Sequence, residues 1–309
     1  MAFASSSGTR VAYVAESTWG TTPATPTLKT LRVTNRGLRT AKTTAASQER
    51  RADRNVPDLM MLGLGAGGGY DIEWSYATLD DLLEGALFSD WSADILKNGI
   101  TPHSYTFEET LELGTTDSFS RFPGTMVSRI GMSIRAQQVV TGSIELLSQK
   151  ENLSTAIVSG ATYTAANVNP ISTASANVAG LDVGAITPVP RIMSLDLTID
   201  NHLRERPEIG SLFSAEFGSG RCEVTGNMSC YFESNVLYQS VISHDSVGLT
   251  FTIGNATLKK YTFRIGTLLF GNGERVPGGN DQDVMVNIPF QAVYNSTDAA
   301  SIKITRAIV

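Results

Sequence analysis

Two stretches of the chain decide its fold class: GYDIEWSYATLDDLLEGALF at residues 69–88 and GNMSCYFESNVLYQSVI at residues 226–242. Each begins with glycine and continues as an alternating segment whose apolar and aromatic side chains share one face of a strand. Each then changes to the apolar spacing of a short amphipathic helix. Because the same strand–helix order occurs twice, the sequence predicts two similar halves, as in a ring or tube subunit whose symmetry is partly contained in one chain.

The composition is that of a globular β protein. The chain has 309 residues, enough for two domains of ordinary size. Hydrophobic residues make up 41% and charged residues 17%, and the charged fraction is below the usual value of about 25%. This composition excludes the disordered class, which is poor in apolar residues and strongly charged. It suits β-structure whose surface is largely used in subunit contacts.

Charge and cysteine content limit the environment and the partners. The net charge of −6 argues against a protein that grips nucleic acid. No apolar run is long enough to cross a bilayer, and the first residues lack the apolar segment of a signal peptide. We therefore expect synthesis in a cytoplasm and no membrane contact. In such a reducing compartment Cys222 and Cys230 are expected to be free thiols.

Composition shifts along the chain predict four segments. The linker among them is almost uncharged and rich in Ala, Ser, Thr and Gly. The segments are an N-terminal arm (1–30), a first β unit (31–153), a linker (154–188) and a second β unit (189–309). Within the units we expect a long exposed loop over residues 40–69 and a wide hairpin loop over residues 271–283.

No motif predicts catalysis, a cofactor or a metal site. The three histidines lie among polar residues without ligand spacing, and the two cysteines lack a CxxC arrangement or a histidine companion. The glycine-rich run 63–69 opens a strand, whereas a phosphate-binding loop follows a strand and opens a helix. We therefore expect that the protein is not an enzyme.

One segment has an unusual charge. Residues 32–54 carry seven basic and two acidic side chains, a net charge of +5, which leaves −11 on the rest of a chain whose total is −6. Such a segment can bind an acidic surface of another copy, and it can also be a solvated loop or a DNA contact. We take the contact between subunits or rings as the main hypothesis. The candidate assembly residues are Arg32, Arg36, Arg39, Lys42, Arg50, Arg51 and Arg54.

Four stretches together resemble the tail tube (major tail) protein family of long-tailed bacteriophages. They are VAYVAESTWGTTP (11–23), FSRFPGTMVSRIGMSIRAQQVVTGSIELLSQKE (119–151), SLDLTIDNHL (194–203) and VTGNMSCYFES (224–234). The resemblance implies a mainly β protein with the tail-tube β-sandwich and a flanking helix. Together with the repeat, it predicts two tandem tail-tube-type β-sandwich units, each with one short flanking helix and each contributing strands to a ring-shaped inner β-barrel. It implies a structural virion protein of the phage tail that self-assembles into stacked rings and is made in the host cytoplasm.

The resemblance also implies partners. They are further copies of the chain, a tape measure protein, and tail terminator and tail tip proteins, while genomic DNA passes through the lumen without specific binding during delivery into the host. Many relatives have one unit and form hexameric rings. The apparent duplication here favours trimeric rings with pseudo-sixfold symmetry over hexamers. The alternative function is a receptor- or carbohydrate-binding β-sandwich of the tail tip.

Overall fold

The first half of the chain confirms the prediction of a mainly β protein. The computed structural model describes residues 3–114, 116–184, 186–254 and 259–307. A 3-10 turn (Ser6–Gly8) precedes the first strand. The strands of this half are β1 (Thr9–Ala15), β2 (Thr27–Thr30), β3 (Leu38–Ala46), β4 (Leu59–Glu73), β5 (Ile95–Lys97), β6 (Tyr105–Leu111), β7 (Ser118–Arg135), β8 (Thr141–Ser148), β9 (Asn152–Ser154) and β10 (Thr162–Thr164), with helix α1 (Asp80–Leu87) between β4 and β5.

The rest of the chain has a similar composition of elements. A single-turn helix α2 (Ala174–Asn177) leads into it, and α3 (Asn235–Ser243) follows its long central strand. The strands are β11 (Val178–Val183), β12 (Ile192–Asp200), β13 (Arg204–Glu205), β14 (Phe217–Gly218), β15 (Glu223–Tyr231), β16 (Ser246–Gly254), β17 (Lys260–Phe270), β18 (Glu274–Val276), β19 (Met285–Ala292) and β20 (Lys303–Ala307).

The long strand β7 belongs to two sheets. Its first residues pair with β6 and β9 in a small sheet of order β10-β2-β1-β6-β7-β9. Its remaining residues, from Met126, pair with β8 and β12 in a large sheet. The change occurs after Pro123-Gly124, where Gly124 has a φ of +66°, a conformation that side-chain-bearing residues rarely adopt. This bend lets one strand join the two layers.

The large sheet has the order β3-β4-β8-β7-β12-β15-β19-β17-β16-β11, and all of these pairs are antiparallel. Strand β18 continues β17 along the edge of β19, and β20 pairs with β5 and with the start of β17. The strands β13 and β14 form a separate small hairpin.

Six strands follow the same order in each half of the chain. In the first half the order is β1-β6-β7-β8-β4-β3, and in the second it is β11-β16-β17-β19-β15-β12. The two series match in chain order as well. Both have a helix after the fifth strand of this order, α1 after β4 and α3 after β15. Both helices end at a residue in the left-handed conformation, Phe88 with φ 50° and His244 with φ 56°.

One hydrophobic core runs through both halves. Tyr13 and Tyr70 stack on either side of Phe107, with centroid distances of 5.4 and 5.9 Å, and so join the small sheet to the large one. In the second half Phe251 stacks on Phe263 at 5.1 Å, and Trp74 meets the edge of Phe263 at 5.9 Å. Aromatic pairs of this kind add to the free energy gained by burying apolar area.

The structure corrects several predicted boundaries. Residues 40–69 are mostly a β-hairpin formed by β3 and β4, and only residues 47–58 connect the two strands. The N-terminal arm, expected to be irregular or extended, contains β1 and β2. The linker contains β10, α2 and β11, because the backbones of β10 and β11 pair with β2 and β16. The predicted loop 271–283 contains β18, and β20 is the final strand of the second half among the described residues.

Candidate assembly surfaces

The two halves of the chain meet along one pair of strands. Strand β12 pairs with the second part of β7 in antiparallel register, from Ser194 opposite Arg135 to Asp200 opposite Arg129. This pairing makes the sheets of the two halves continuous. We call the β7–β12 contact the internal seam.

Charged side chains cross the internal seam on the exposed face of the sheet. The Arg129 guanidinium donates two hydrogen bonds to Asp200, at 2.6 and 2.9 Å. Ser133 donates to Asp196 at 2.6 Å, and Arg135 lies 3.4 Å from both oxygens of the same carboxylate. Burial opposes ionisation of Asp200, but hydrogen bonds from the His202 N–H and from Arg129 outweigh it and lower the pKa of Asp200. The two halves are therefore held together at the internal seam by backbone hydrogen bonds and by pairs of opposite charges.

A second contact joins the halves on the side of α1. Arg306 of β20 donates to Asp80 at 2.7 Å and to Asp94 at 3.0 Å, and its guanidinium lies 4.5 Å from the centre of the Trp91 ring. The hydroxyl of Tyr261 donates to Asp80 as well. Elements after α1 in the first half are thus held by the last strands of the second half.

Within the part of the chain that the structure describes, β3 and β18 each have an unpaired edge, as do the outer strands β9, β10 and β11. Strand β3 pairs with β4 on one edge. On its other edge the N–H of Leu38 donates to Glu109 at 2.8 Å, and the backbone is unpaired from Arg39 onward. Strand β18 pairs with β19 alone. The edges of β3 and β18 lie at opposite ends of the series β3-β4-β8-β7-β12-β15-β19-β18. An unpaired edge is a template for pairing with another chain.

The seven predicted assembly residues do not form one cluster. Arg32 donates to Ser75 and to the backbone carbonyl of Asn169, while Arg36 forms ion pairs with Asp71 and Glu145 at 2.8 and 2.6 Å. These two arginines therefore stabilise the fold of the chain itself.

The other five predicted residues lie on the β3–β4 hairpin or its connection. Arg39 and Lys42 are exposed on β3. Arg50 and Arg54 are exposed in the connecting loop, and Arg51 in the same loop pairs with Asp53 at 2.7 Å. The hairpin is thus the basic part of the predicted segment.

Apolar side chains on this hairpin were missed by the sequence analysis. Beyond the end of β8 the hairpin has few contacts with the body, among them a hydrogen bond from the N–H of Leu64 to the carbonyl of Leu212 at 2.7 Å. The start of β4 is exposed there, with Leu59 at 66% and Leu62 at 56% of their full accessibility. The run LMMLGLG was the available signal, but it was assigned to a loop. A protruding hairpin with both basic and apolar side chains is suited to docking on a neighbour.

The open face of the large sheet is more acidic than basic. This face alternates with the core face along each strand, so its members follow from burial. In the eight strands β3-β4-β8-β7-β12-β15-β19-β18 and the residues just before β3, this face carries seven carboxylates and four guanidinium groups. They are Asp71, Glu73, Glu145, Asp196, Asp200, Glu223 and Glu274, and Arg36, Arg39, Arg129 and Arg135.

The cysteines are separate thiols. Cys222 is half-buried and Cys230 fully buried, and burial raises their pKa values to about 11 and about 12. Among the described residues there is no group of three His, Cys, Asp or Glu side chains placed to hold a metal ion. The helices described here include none that is both long and apolar enough to cross a membrane.

The amino-acid sequence matches the model of a known protein family. Residues 6–292 match the model of the phage tail tube protein family, so the chain belongs to this family. Its role is accordingly that of a structural component of the phage tail, in a family that is structural rather than enzymatic. The family association implies assembly into a tube with other tail proteins. No curated protein matches the chain.

Proposed function

We propose that this protein assembles into trimeric rings that stack into the hollow tail tube, and that each chain supplies two of six similar sectors. The matching strand orders of the two halves support a tandem duplication. They also favour longer units than the composition predicted. Strand β1 of the predicted arm and β11 of the predicted linker each stand first in the strand order of their half, so both belong to the repeated units.

The observation that carries this proposal is the internal seam. Within one chain, β7 of the first unit already pairs with β12 of the second across seven consecutive residue pairs. The same kind of contact between the last unit of one copy and the first unit of the next pairs the free edges of β3 and β18 once the ring closes. Closure removes the aggregation hazard of open edges.

Strand number favours three copies per ring. Each unit offers four strands to an inner barrel, β3-β4-β8-β7 in the first and β12-β15-β19-β18 in the second. Three copies give about 24 strands, which at a spacing of about 4.8 Å and a tilt of about 40° enclose a barrel roughly 50 Å across between backbones. Six copies with both units in the wall double that diameter.

A lumen lined by the open face of the large sheet suits passage of DNA. In the eight strands of the proposed barrel and the residues just before β3, seven carboxylates outnumber four guanidinium groups, so the wall repels phosphate on balance. Each phosphate neutralised by Lys or Arg adds salt-dependent affinity, and an acidic wall avoids this retention. The wall therefore supports a conduit for genome delivery without specific binding. We assign the tape measure protein to the same lumen and tail terminator and tail tip proteins to the two ends of the tube.

We assign the β3–β4 hairpin to contacts between rings. It extends beyond the end of β8, and its loop carries Arg50, Arg51 and Arg54. Its charge is complementary to the acidic remainder of a neighbouring copy. Reversing all three charges to Glu should leave soluble protein or single rings and abolish long tubes in negative-stain images. Normal tubes from the triple variant would contradict this assignment.

Cryo-electron microscopy of tubes assembled from purified protein tests the main proposal. We expect three chains and six similar sectors per ring, with the open face of the large sheet toward the lumen. Six identical chains per ring with one unit in the wall would reject the trimer. A lumen lined mainly by Lys and Arg would reject the acidic conduit.

A further inference from the structure

We infer that the contact between neighbouring copies is an antiparallel pairing of β3 with β18 in which Arg39 lies directly opposite Glu274. This inference rests on the proposed ring and specifies the residues of its intermolecular seam. The partner is a second copy of this chain.

The register follows from strands that correspond in the two halves. Ile72 and Cys230 are the last buried residues of β4 and β15, and they lie opposite Gly142 of β8 and Val286 of β19. The next positions, Ser143 and Asn287, therefore correspond.

This correspondence extends to the neighbouring strands. Ser143 lies opposite Gly131 of β7, and Asn287 lies opposite Glu274 of β18. Glu274 thus occupies the place of Gly131.

The other side of the seam is found in the same way. If Ile72 corresponds to Cys230, then Gly68 corresponds to Gly226. Gly68 lies opposite Leu38, and Gly226 lies opposite Leu197. Leu38 and Leu197 are both buried, which supports the match. The following residues, Arg39 and Thr198, therefore correspond.

The internal seam then fixes the intermolecular pair. Thr198 lies directly opposite Gly131 across the internal seam. Replacing each with its counterpart places Arg39 of one copy opposite Glu274 of the next. Both side chains are exposed, neither forms an ion pair within the described residues, and their charges are opposite. Directly opposed residues in antiparallel strands bring their Cβ atoms within about 5.5 Å, where opposite charges attract.

The two helices give independent support. α1 buries Leu82, Leu83, Gly85, Ala86 and Leu87, and β12 of the second half is among the elements that it contacts. α3 buries only Leu237 and Ser240, and leaves Val236 43% and Ile242 65% exposed. In the proposed ring, β3 of the neighbouring copy takes the place next to α3 that β12 takes next to α1. It therefore adds cover to the exposed apolar side chains of α3.

Disulfide trapping tests the register. We expect the Arg39→Cys/Glu274→Cys variant to form covalent dimers and trimers under mild oxidation of assembled protein, because the two Cβ atoms lie within disulfide reach. The matched control, Thr43→Cys/Glu274→Cys, places the partner four residues along β3 and should stay monomeric on a non-reducing gel. Single-cysteine variants measure any background from Cys222 and Cys230.

Charge exchange provides a second readout. Arg39→Glu or Glu274→Arg alone should raise the protein concentration needed for ring formation by roughly fivefold or more, since like charges then oppose each other at every intermolecular seam. The double exchange should restore assembly. Circular dichroism of the monomers checks that both exposed substitutions leave the fold intact.

The outcomes separate the two proposals. Rings that form with no trapped product from the Arg39→Cys/Glu274→Cys variant, or with no rescue by the double exchange, overturn the register and leave the ring standing. Wild-type protein that stays monomeric at high concentration overturns the ring and the seam together.

Discussion

Arg306, near the end of the chain, forms an ion pair with Asp80 in the first turn of α1, with 2.7 Å between Nη1 and Oδ2. Both side chains are only 20% exposed. The negative charge of Asp80 also lies near the positive end of the helix dipole. One arginine of the second half therefore holds the helix of the first half in place.

Removing this arginine should weaken the whole chain. Arg306→Ala leaves Asp80 and Asp94 without their shared cation and removes the guanidinium from the Trp91 ring, so we expect a loss of about 2–3 kcal/mol in the free energy of unfolding. Urea denaturation of monomeric protein measures this loss.

The matched control is Arg191→Ala. The Arg191 side chain is 80% exposed beside Glu233, so its removal should cost less than about 1 kcal/mol of unfolding free energy. Equal losses in the two variants would contradict a special role for Arg306.

Acid should destabilise the monomer through two carboxylates. Burial opposes ionisation of Asp200 and of Asp298, but hydrogen bonds outweigh it and lower both pKa values. Those to Asp200 come from the His202 backbone N–H and Arg129, and those to Asp298 from Lys303 and Arg264. Unfolding returns each group to a pKa of about 3.9, so the unfolded chain binds more protons in acid. The stabilisation is complete above about pH 5 and is lost as the pH falls through the folded pKa. Thermal unfolding between pH 2.5 and pH 6 (roughly the range in which Asp titrates) should show this decline.

Substitution can assign that decline to the named groups. Asp298→Asn removes one titrating carboxylate that pairs with Arg264 and Lys303, and should flatten the acid limb while lowering stability at neutral pH. Asp58→Asn on the exposed hairpin loop serves as the control and should leave the curve unchanged. An acid limb that is just as steep in Asp298→Asn would refute the assignment.

The thiols should be free and slow to react. Burial raises the pKa of Cys222 to about 11 and that of Cys230 to about 12, so little thiolate is present at pH 8. A thiol reagent should therefore modify folded protein far more slowly than urea-unfolded protein, with Cys222 ahead of the fully buried Cys230. Mass spectrometry under denaturing, non-reducing conditions should find two modified cysteines. An intact disulfide would disprove the prediction.

Assembly should protect the hairpin from trypsin. Arg50, Arg51 and Arg54 are exposed in the loop that joins β3 to β4, which makes this loop a preferred cleavage site in the monomer. In tubes the proposed docking between rings covers it, and the cleavage rate should fall by at least about tenfold relative to monomer. Arg191, exposed outside the hairpin, is an internal reference for general access. Equal cleavage of the loop in tubes and monomers would argue against docking.

Alternation of side chains made part of this fold predictable from sequence. The strand–helix segments beginning at Gly69 and Gly226 form β4 with α1 and β15 with α3, because period-two patterns and helical spacing are local properties of the chain. The hairpin at residues 40–69 was not recognised. β3 lacks an alternating pattern, since most of its residues are exposed on both faces, and the cross-strand pairing that forms it is not a local signal.

The candidate site was predictable only in part. The excess of basic residues pointed to the hairpin, but Arg32 and Arg36 belong to the fold itself because their partners Ser75, Asp71 and Glu145 come from segments distant in sequence. Nothing in the sequence indicated Glu274. Its position became visible only through the strand register, which depends on pairings between strands far apart in the chain.

The strand that corresponds to β7 is broken in the second half. β7 runs without interruption for 18 residues, whereas β17 and β18 are separated by Gly271, Asn272 and Gly273. In the proposed ring, rigid joints within chains therefore alternate with more compliant joints between chains, because glycine allows backbone rotation. In that proposed ring, we expect bending strain to concentrate at the three joints between chains, where a long tail would flex without breaking its wall.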